Sequence, residues 1–261
     1  MQSVIDSHAR CFALAGIRVD AIRRCDLIEL VKQAIELKDR LLILNHNLHS
    51  LYLYETDPKF AEIYSKASWI YIDGIPVVWL GRLAGLPVTA SDRITFLDSF
   101  GEMLSEASQN DWRIFYLGSS EQVLTEGLAL LRKQHPNLKI AGRHGFFEKV
   151  GPESDLVISQ INEFKTDVLF VGMGMPIQET WIAEHLEKMN VSAVLTSGAT
   201  LDYITGHAYR PPAWAGPLGL YGVFRLFSDP GRLWRRYLLE PIVLVKCLSF
   251  RLVRQRIGRN K

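Results

Sequence analysis

Three cysteines in 261 residues, Cys11, Cys25 and Cys247, are too few and too scattered for a disulfide framework. None has a CxxC partner, which removes zinc ribbons and thioredoxin-type chemistry and fits a reducing compartment. No two aspartates lie two residues apart, so an Asp-x-Asp metal clamp is missing, and the seven histidines contain neither HxH nor HxxxH spacing. No metal and no cofactor is therefore expected. Long apolar runs are lacking too. The uncharged stretch from Pro211 to Phe224 is broken by prolines and glycines, and no segment reaches the ~20 apolar residues of a spanning helix. The first apolar stretch, Cys11 to Ile17, runs into Arg18 and Asp20 rather than a small-residue cleavage site, so a secretory signal is not expected.

What is present is ordinary globular material with an uneven charge. Hydrophobic residues make up 48% and charged residues 22%, enough to bury a substantial core. The net charge of +2 hides a division. Residues 207–261 hold eleven Lys and Arg against Asp229 and Glu240, a net +9, which leaves −7 for residues 1–206. A basic tail on an acidic body implies an anionic partner: nucleic acid, anionic lipid or a phosphorylated substrate.

Along the chain, helical and strand signals alternate. Leu27, Leu30, Val31, Ala34 and Ile35 recur at helical spacing behind Asp26, read as an N-cap with Glu29 three residues on. Asp57-Pro58 opens another helix, and 121–133 and 178–188 read as helices as well. Short apolar runs at 41–44, 69–72, 113–117, 138–141, 168–171 and 191–196 read as buried strands. Continuous apolar strands between helices require a parallel sheet covered on both faces. The expected fold is thus α/β: a Rossmann-like parallel sheet covered by helices, with a basic, mostly helical C-terminal appendage. The division is a catalytic domain over 1–206 and an amphipathic appendage over 207–261. Within the appendage, Asp229-Pro230 reads as a helix start, and from Pro241 onward apolar residues alternate with Lys246, Arg251, Arg254 and Arg256, as suits an anionic bilayer surface.

In such a sheet, ligands lie beyond the carboxyl ends of the strands. Those ends carry Asn45, Asp73-Gly74, Gly118-Ser119-Ser120, Gly172-Met173-Gly174 and Ser197-Gly198, a pattern that suits a phosphorylated or nucleotide ligand. Asp73 reads equally as a general base facing the crevice or as an N-cap for a helix starting near Ile75. Asp202 reads first as scaffold. A dinucleotide enzyme would want glycines at the first βα turn, and Leu44-Asn45-His46-Asn47 has none. An RNA binder would want an aromatic platform on a sheet, whereas here aromatics cluster with leucines in the tail. Membrane contact explains that mixture better, and no nucleic-acid partner is expected.

Five segments together resemble the WecG/TagA/CpsF family of bacterial glycosyltransferases. They are Ile72 to Val78, Val88 to Asp92, Gly172 to Glu179, Gly198 to Tyr203 with Gly206, and Arg210 to Leu238 with its Arg-Pro-Pro, Phe-Arg-Leu and Asp-Pro elements. The resemblance implies transfer of a sugar from a UDP-sugar to a sugar on polyprenyl diphosphate, with inversion. It assigns Asp73 as the base and Asn45, Gln178 and Glu179 to the substrate pocket, to which Gly172, Gly174 and Asp202 are added as candidates from their places at strand ends. Arg225, Arg232 and Arg235 would hold diphosphate from an appendage that folds over the site. A cytoplasmic enzyme peripheral to the inner face of the plasma membrane follows, with homo-oligomerisation left open.

The sequence departs from the family's pattern at Ile43, Ala90, Ile177, Tyr221 and Gly222. Ile43, where a threonine is usual, turns the expected donor towards UDP-glucose and an exopolysaccharide pathway. The alternatives are transfer of N-acetylmannosamine or its uronic acid, and a non-catalytic binder of phosphoglycolipid at the membrane surface.

Overall fold

A computed structural model describes residues 10–259 apart from residue 217, and their side chains apart from those of 213, 232 and 252–259. Eight strands form one sheet in the order β1-β2-β4-β3-β8-β7-β5-β6. They are β1 (Arg10–Leu14), β2 (Ile17–Ala21), β3 (Leu41–His46), β4 (Trp69–Ile72), β5 (Arg113–Gly118), β6 (Lys139–Arg143), β7 (Val168–Gly172) and β8 (Ala193–Thr196). All pairings are parallel except β1 with β2. Six strands were expected and six are found at those places. The exception is the β1–β2 hairpin, which the expected scheme lacks. Its turn, Ala15-Gly16, has φ of 50° and 88°, the positive pair that a two-residue turn needs to match strand twist.

Strands β3, β7 and β8 are buried at every position, which is why they read as unbroken apolar runs. Alternation then divides the core. Leu41, Ile43, Ile114, Phe170 and Leu195 pack on one face beneath α1 (Arg24–Leu37), α5 (Phe96–Gln109) and α6 (Glu121–Gln134). Leu42, Leu44, Phe115, Val171 and Val194 pack on the other, beneath α3 (Pro58–Ser65), α7 (Pro152–Glu163) and α8 (Ile177–His185). Helix α3 starts as read, with Asp57 Oδ1 accepting from Lys59 N at 2.9 Å. Helix α1 starts earlier than read: Arg23 is its N-cap, and Asp26 reaches back three residues to accept from Arg23 N at 2.8 Å.

A third apolar cluster joins the β1–β2 hairpin to the last helix. Leu14, Ile17 and Val19 of the hairpin meet Ile72 of β4, Leu51 of α2 (Leu48–Thr56), and Val77 and Val78 of α4 (Ile75–Leu83). Leu244 and Leu248 of α12 (Glu240–Arg259) complete it at 1% and 4% exposure. Helices α10 (Tyr221–Ser228) and α11 (Pro230–Trp234) and a π-helical turn, Arg235–Leu239, lead into α12. Two contacts fix α12 to α2: a hydrogen bond between His49 Nδ1 and Glu240 Oε2 at 2.5 Å, and an ion pair from Arg251 Nε to Glu55 Oε2 at 3.0 Å. The expected appendage thus lies packed on the body. Among the described residues no helix is long and apolar enough to cross a membrane.

Candidate active site

The carboxyl ends of β3, β4, β5, β7 and β8 open into one cavity of about 1250 Å³, whose other wall is built from residues 210–238. Asp73 follows β4 directly and lines this cavity, half-buried. It does not cap the next helix: Gly74, at φ 101°, is the N-cap of α4, and no side chain bonds there. What holds Asp73 comes from the neighbouring strand. Its N–H donates to His46 O at 2.8 Å, and Asn45 Nδ2 donates to Asp73 Oδ2 at 3.3 Å. Asn45 is itself fixed, accepting at Oδ1 from Thr196 Oγ1 at 3.1 Å and at its carbonyl from Tyr64 OH at 2.8 Å.

Three guanidinium groups face this carboxylate. Arg93 is brought beside it by a bridge between Ile72 and Arg93, with Ile94 N donating to Ile72 O at 2.8 Å. Arg225 and Arg236 reach the cavity from the appendage. Burial pushes the Asp73 carboxyl above its ordinary value, against the opposing pull of Arg93, the Asn47 amide, Arg225 and Arg236. Arg225 packs over the Tyr203 ring at 5.9 Å and is held above its usual pKa, its burial outweighed by Tyr237, Tyr203 and Asp73. Burial lowers Arg236.

The arginines read from sequence divide. Arg225 lines the cavity. Arg235 is exposed and stacks 5.3 Å over Trp234, outside the lining, and its neighbour Arg236 takes the inward place. Both residues lie in the π-helical turn that leads into α12. The side chain of Arg232 lies outside the described residues. Arg93 was missed as well; its only sequence signal was its place directly after the Val88–Asp92 segment.

The glycines have separate jobs. A Cβ on Gly172 would lie 2.4 Å from Tyr116 OH and 2.5 Å from Gly198 O, so Gly172 permits close packing of strand ends. Gly174, at φ 80°, has open space around it and turns the chain into α8. Gln178 lines the cavity, accepting from Gly174 N at 3.1 Å. Glu179 does not line it. It is fully buried behind Gln178, and burial raises its pKa to about 7. Asp202 lines the cavity and accepts from Ser119 Oγ at 2.7 Å. His46, on the far side of β3, is stacked on Tyr64 at 4.6 Å and driven down to about 3 by burial. Glu148 lines the cavity in the loop after β6, where its N–H donates to Glu153 Oε2 at 2.8 Å.

Ile43 is a correction. It is 0% exposed in the core beneath α1 and α5, three residues short of the end of β3, and cannot read a sugar. Of the other departures, Ile177, Tyr221 and Gly222 do line the cavity. Gly222 lies under the Tyr237 ring, where a Cβ would come within 2.8 Å.

A crevice at the ends of parallel strands, holding an oriented carboxylate among guanidinium groups, is the arrangement of an α/β enzyme and suits a phosphorylated substrate. Residues 12–260 match the glycosyl transferase WecG/TagA/CpsF family, and the chain belongs to it. It is a glycosyltransferase. Among its relatives are the N-acetylglucosaminyldiphosphoundecaprenol N-acetyl-beta-D-mannosaminyltransferases of Staphylococcus aureus strains MW2, NCTC 8325 / PS 47 and MRSA252. Each is 27% identical over 224 residues, covering 85% of this chain and 86% of the relative.

Proposed function

We propose that this enzyme moves an N-acetylmannosaminyl group from its UDP-sugar to an N-acetylglucosaminyl group carried on polyprenyl diphosphate, with inversion. The observation that carries the chemistry is Asp73, oriented by Asn45 and facing Arg93, Arg225 and Arg236 in one cavity. The acceptor hydroxyl attacks the anomeric carbon, Asp73 takes its proton, and the bond to the UDP oxygen breaks with its electron pair leaving on the diphosphate. Asp73 ionised above its ordinary range is a stronger base than a free aspartate. Guanidinium groups stabilise the charge that builds on the leaving diphosphate, since they are fixed before the reaction begins. The sugar follows the named relatives, which replaces the glucose reading that rested on Ile43.

The acceptor's lipid implies work at a membrane surface. Helix α12 supports this: Leu244 and Leu248 face the body, while Ile242, Val243 and Val245 are 40–68% exposed beside Lys246. An apolar outer face with basic residues suits the headgroup region of an anionic bilayer.

The deciding experiment offers UDP-N-acetylmannosamine, its uronic acid and UDP-glucose to the full chain. The acceptor is a synthetic polyprenyl-diphosphate-linked N-acetylglucosamine, assayed with and without EDTA. Preferred transfer of N-acetylmannosamine supports the reading. Preference for glucose would restore the other donor, and no transfer from any donor by folded protein on liposomes would sink the catalytic reading of Asp73.

A further inference from the structure

Glu179 is a buried acidic residue for which the transfer chemistry has no direct use. It is 0% exposed, its Oε2 has no hydrogen-bond partner, and it is kept from the cavity by Gln178. Burying a carboxyl with one oxygen unpaired costs stability.

Its one side-chain bond decides how Gln178 sits. Gln178 Nε2 donates to Glu179 Oε1 at 2.8 Å, and Gln178 Oε1 accepts from Gly174 N at 3.1 Å. The main chain repeats the link, Gln178 N donating to Gly174 O at 3.0 Å. A glutamine amide has two ends of nearly equal shape, and only hydrogen bonding tells them apart. Glu179 Oε1 is an acceptor whether the carboxyl is ionised or carries its proton on Oε2. It therefore draws the NH2 end towards itself and leaves the carbonyl end for Gly174. With an apolar side chain at 179, the amide loses the partner for its NH2 end and is free to leave this orientation.

We infer that Glu179 is a positioning residue: it fixes the Gln178 amide so that Gly174 is held and the second Nε2–H is offered to an oxygen of the donor in the cavity. The inference rests on the proposed transfer from a nucleotide sugar. Its neighbours are consistent with the task. Tyr64, which shares the buried layer with Glu179, bonds the Asn45 carbonyl, so one packed layer stands behind both Gln178 and the Asn45–Asp73 pair.

The test is steady-state kinetics of the full chain with the UDP-sugar that the wild type turns over, alongside thermal unfolding. Glu179→Met, which fills similar volume, is expected to raise the donor KM about tenfold, as for one lost oriented hydrogen bond, with kcat changed less than threefold. Glu179→Gln, which can still accept at the same place, is expected to restore a donor KM within about twofold of the wild type. Gln178→Ala is expected to match Glu179→Met, and the double variant to be no worse than either, as residues acting through one another are not additive. An unchanged KM in Glu179→Met, additive effects in the double variant, or a Glu179→Gln as impaired as Glu179→Met would overturn the assignment. Should Glu179→Met not fold, Gln178→Ala in a Glu179→Gln background decides it, since a KM above that of Gln178→Ala alone would contradict the relay. A wild type without turnover would count against the transfer reading instead, so the two failures are distinct.

Discussion

Asn45 Nδ2 donates to Asp73 Oδ2 across 3.3 Å, tying together the ends of two neighbouring parallel strands. The pairing Asn45↔Tyr71 and His46↔Ile72 sets this geometry, because Asp73 is the first residue beyond the ladder. An amide donor on one carboxylate oxygen fixes the plane in which the carboxyl meets the cavity.

Asp73→Asn is expected to lower kcat by about 10²–10⁴-fold with the fold intact, the usual worth of a general base. Asn45→Ala should cost less, since it removes orientation and not the base. Near-normal turnover by folded Asp73→Asn would take the base role away from this residue.

The pH profile carries a second expectation. Burial raises the Asp73 pKa, so the carboxylate needed as base forms at higher pH than in a free side chain. The acid limb of kcat/KM is therefore expected above the ~4 of an ordinary aspartate. A limb at or below that value, measured with saturating acceptor, would count against it.

Stability should record Glu179 separately. Its folded pKa of about 7 lies above the ordinary 4.5, so the folded state binds the extra proton and loses stability as pH rises from 4.5 through 7. The full loss is about 3 kcal/mol. Glu179→Gln removes it, so the variant should gain on the wild type between pH 4.5 and 8 in urea midpoints. His46, held near 3 against an ordinary 6.5, acts the opposite way, costing stability as pH falls below 6.5, but it cancels in the comparison. A difference that stays flat across that range would refute the assignment.

Leu244→Ala should loosen α12. The residue is 1% exposed among Leu51, Val77 and Val78, and such truncations cost about 2–4 kcal/mol. Hydrogen exchange is the readout: faster exchange in α12 and α2, with β5 and β7 unchanged, is expected. Uniform acceleration would mean that α12 unfolds only with the whole chain.

Membrane binding should survive salt in part. Liposome retention driven by Arg and Lys alone would vanish at high ionic strength, whereas inserted Ile242 and Val245 should keep a salt-resistant fraction. Replacing both by serine is expected to remove that fraction while leaving transfer to a short-chain, soluble acceptor unchanged. Retention that is abolished by salt in the wild type would rule out insertion.

Much of the sheet was legible because burial on both faces leaves an unbroken apolar signature, as in Leu41 to Leu44 and Val168 to Val171. The β1–β2 hairpin was not, since Arg10, Cys11 and Arg18 interrupt its pattern with exposed positions, and its turn rests on a non-glycine at positive φ. Asp73 could be placed at a strand end from sequence, but setting the cap reading aside required seeing Gly74 in the cap position. The arginines show the limit most clearly. The resemblance assigns Arg235 to the diphosphate, whereas Arg236 is the residue that lines the cavity. Burial of Ile43 was readable in the apolar run 41–44, and it was the resemblance alone that turned this residue towards the donor.

The cavity takes its walls from both ends of the folding programme. Every strand has been made by Thr196, yet two of the three guanidinium groups around Asp73 arrive only with Arg225 and Arg236. A growing chain is therefore expected to possess its sheet before it possesses a working site. The segment that completes the site is also the one that closes the third apolar cluster, so site and hairpin packing are finished together.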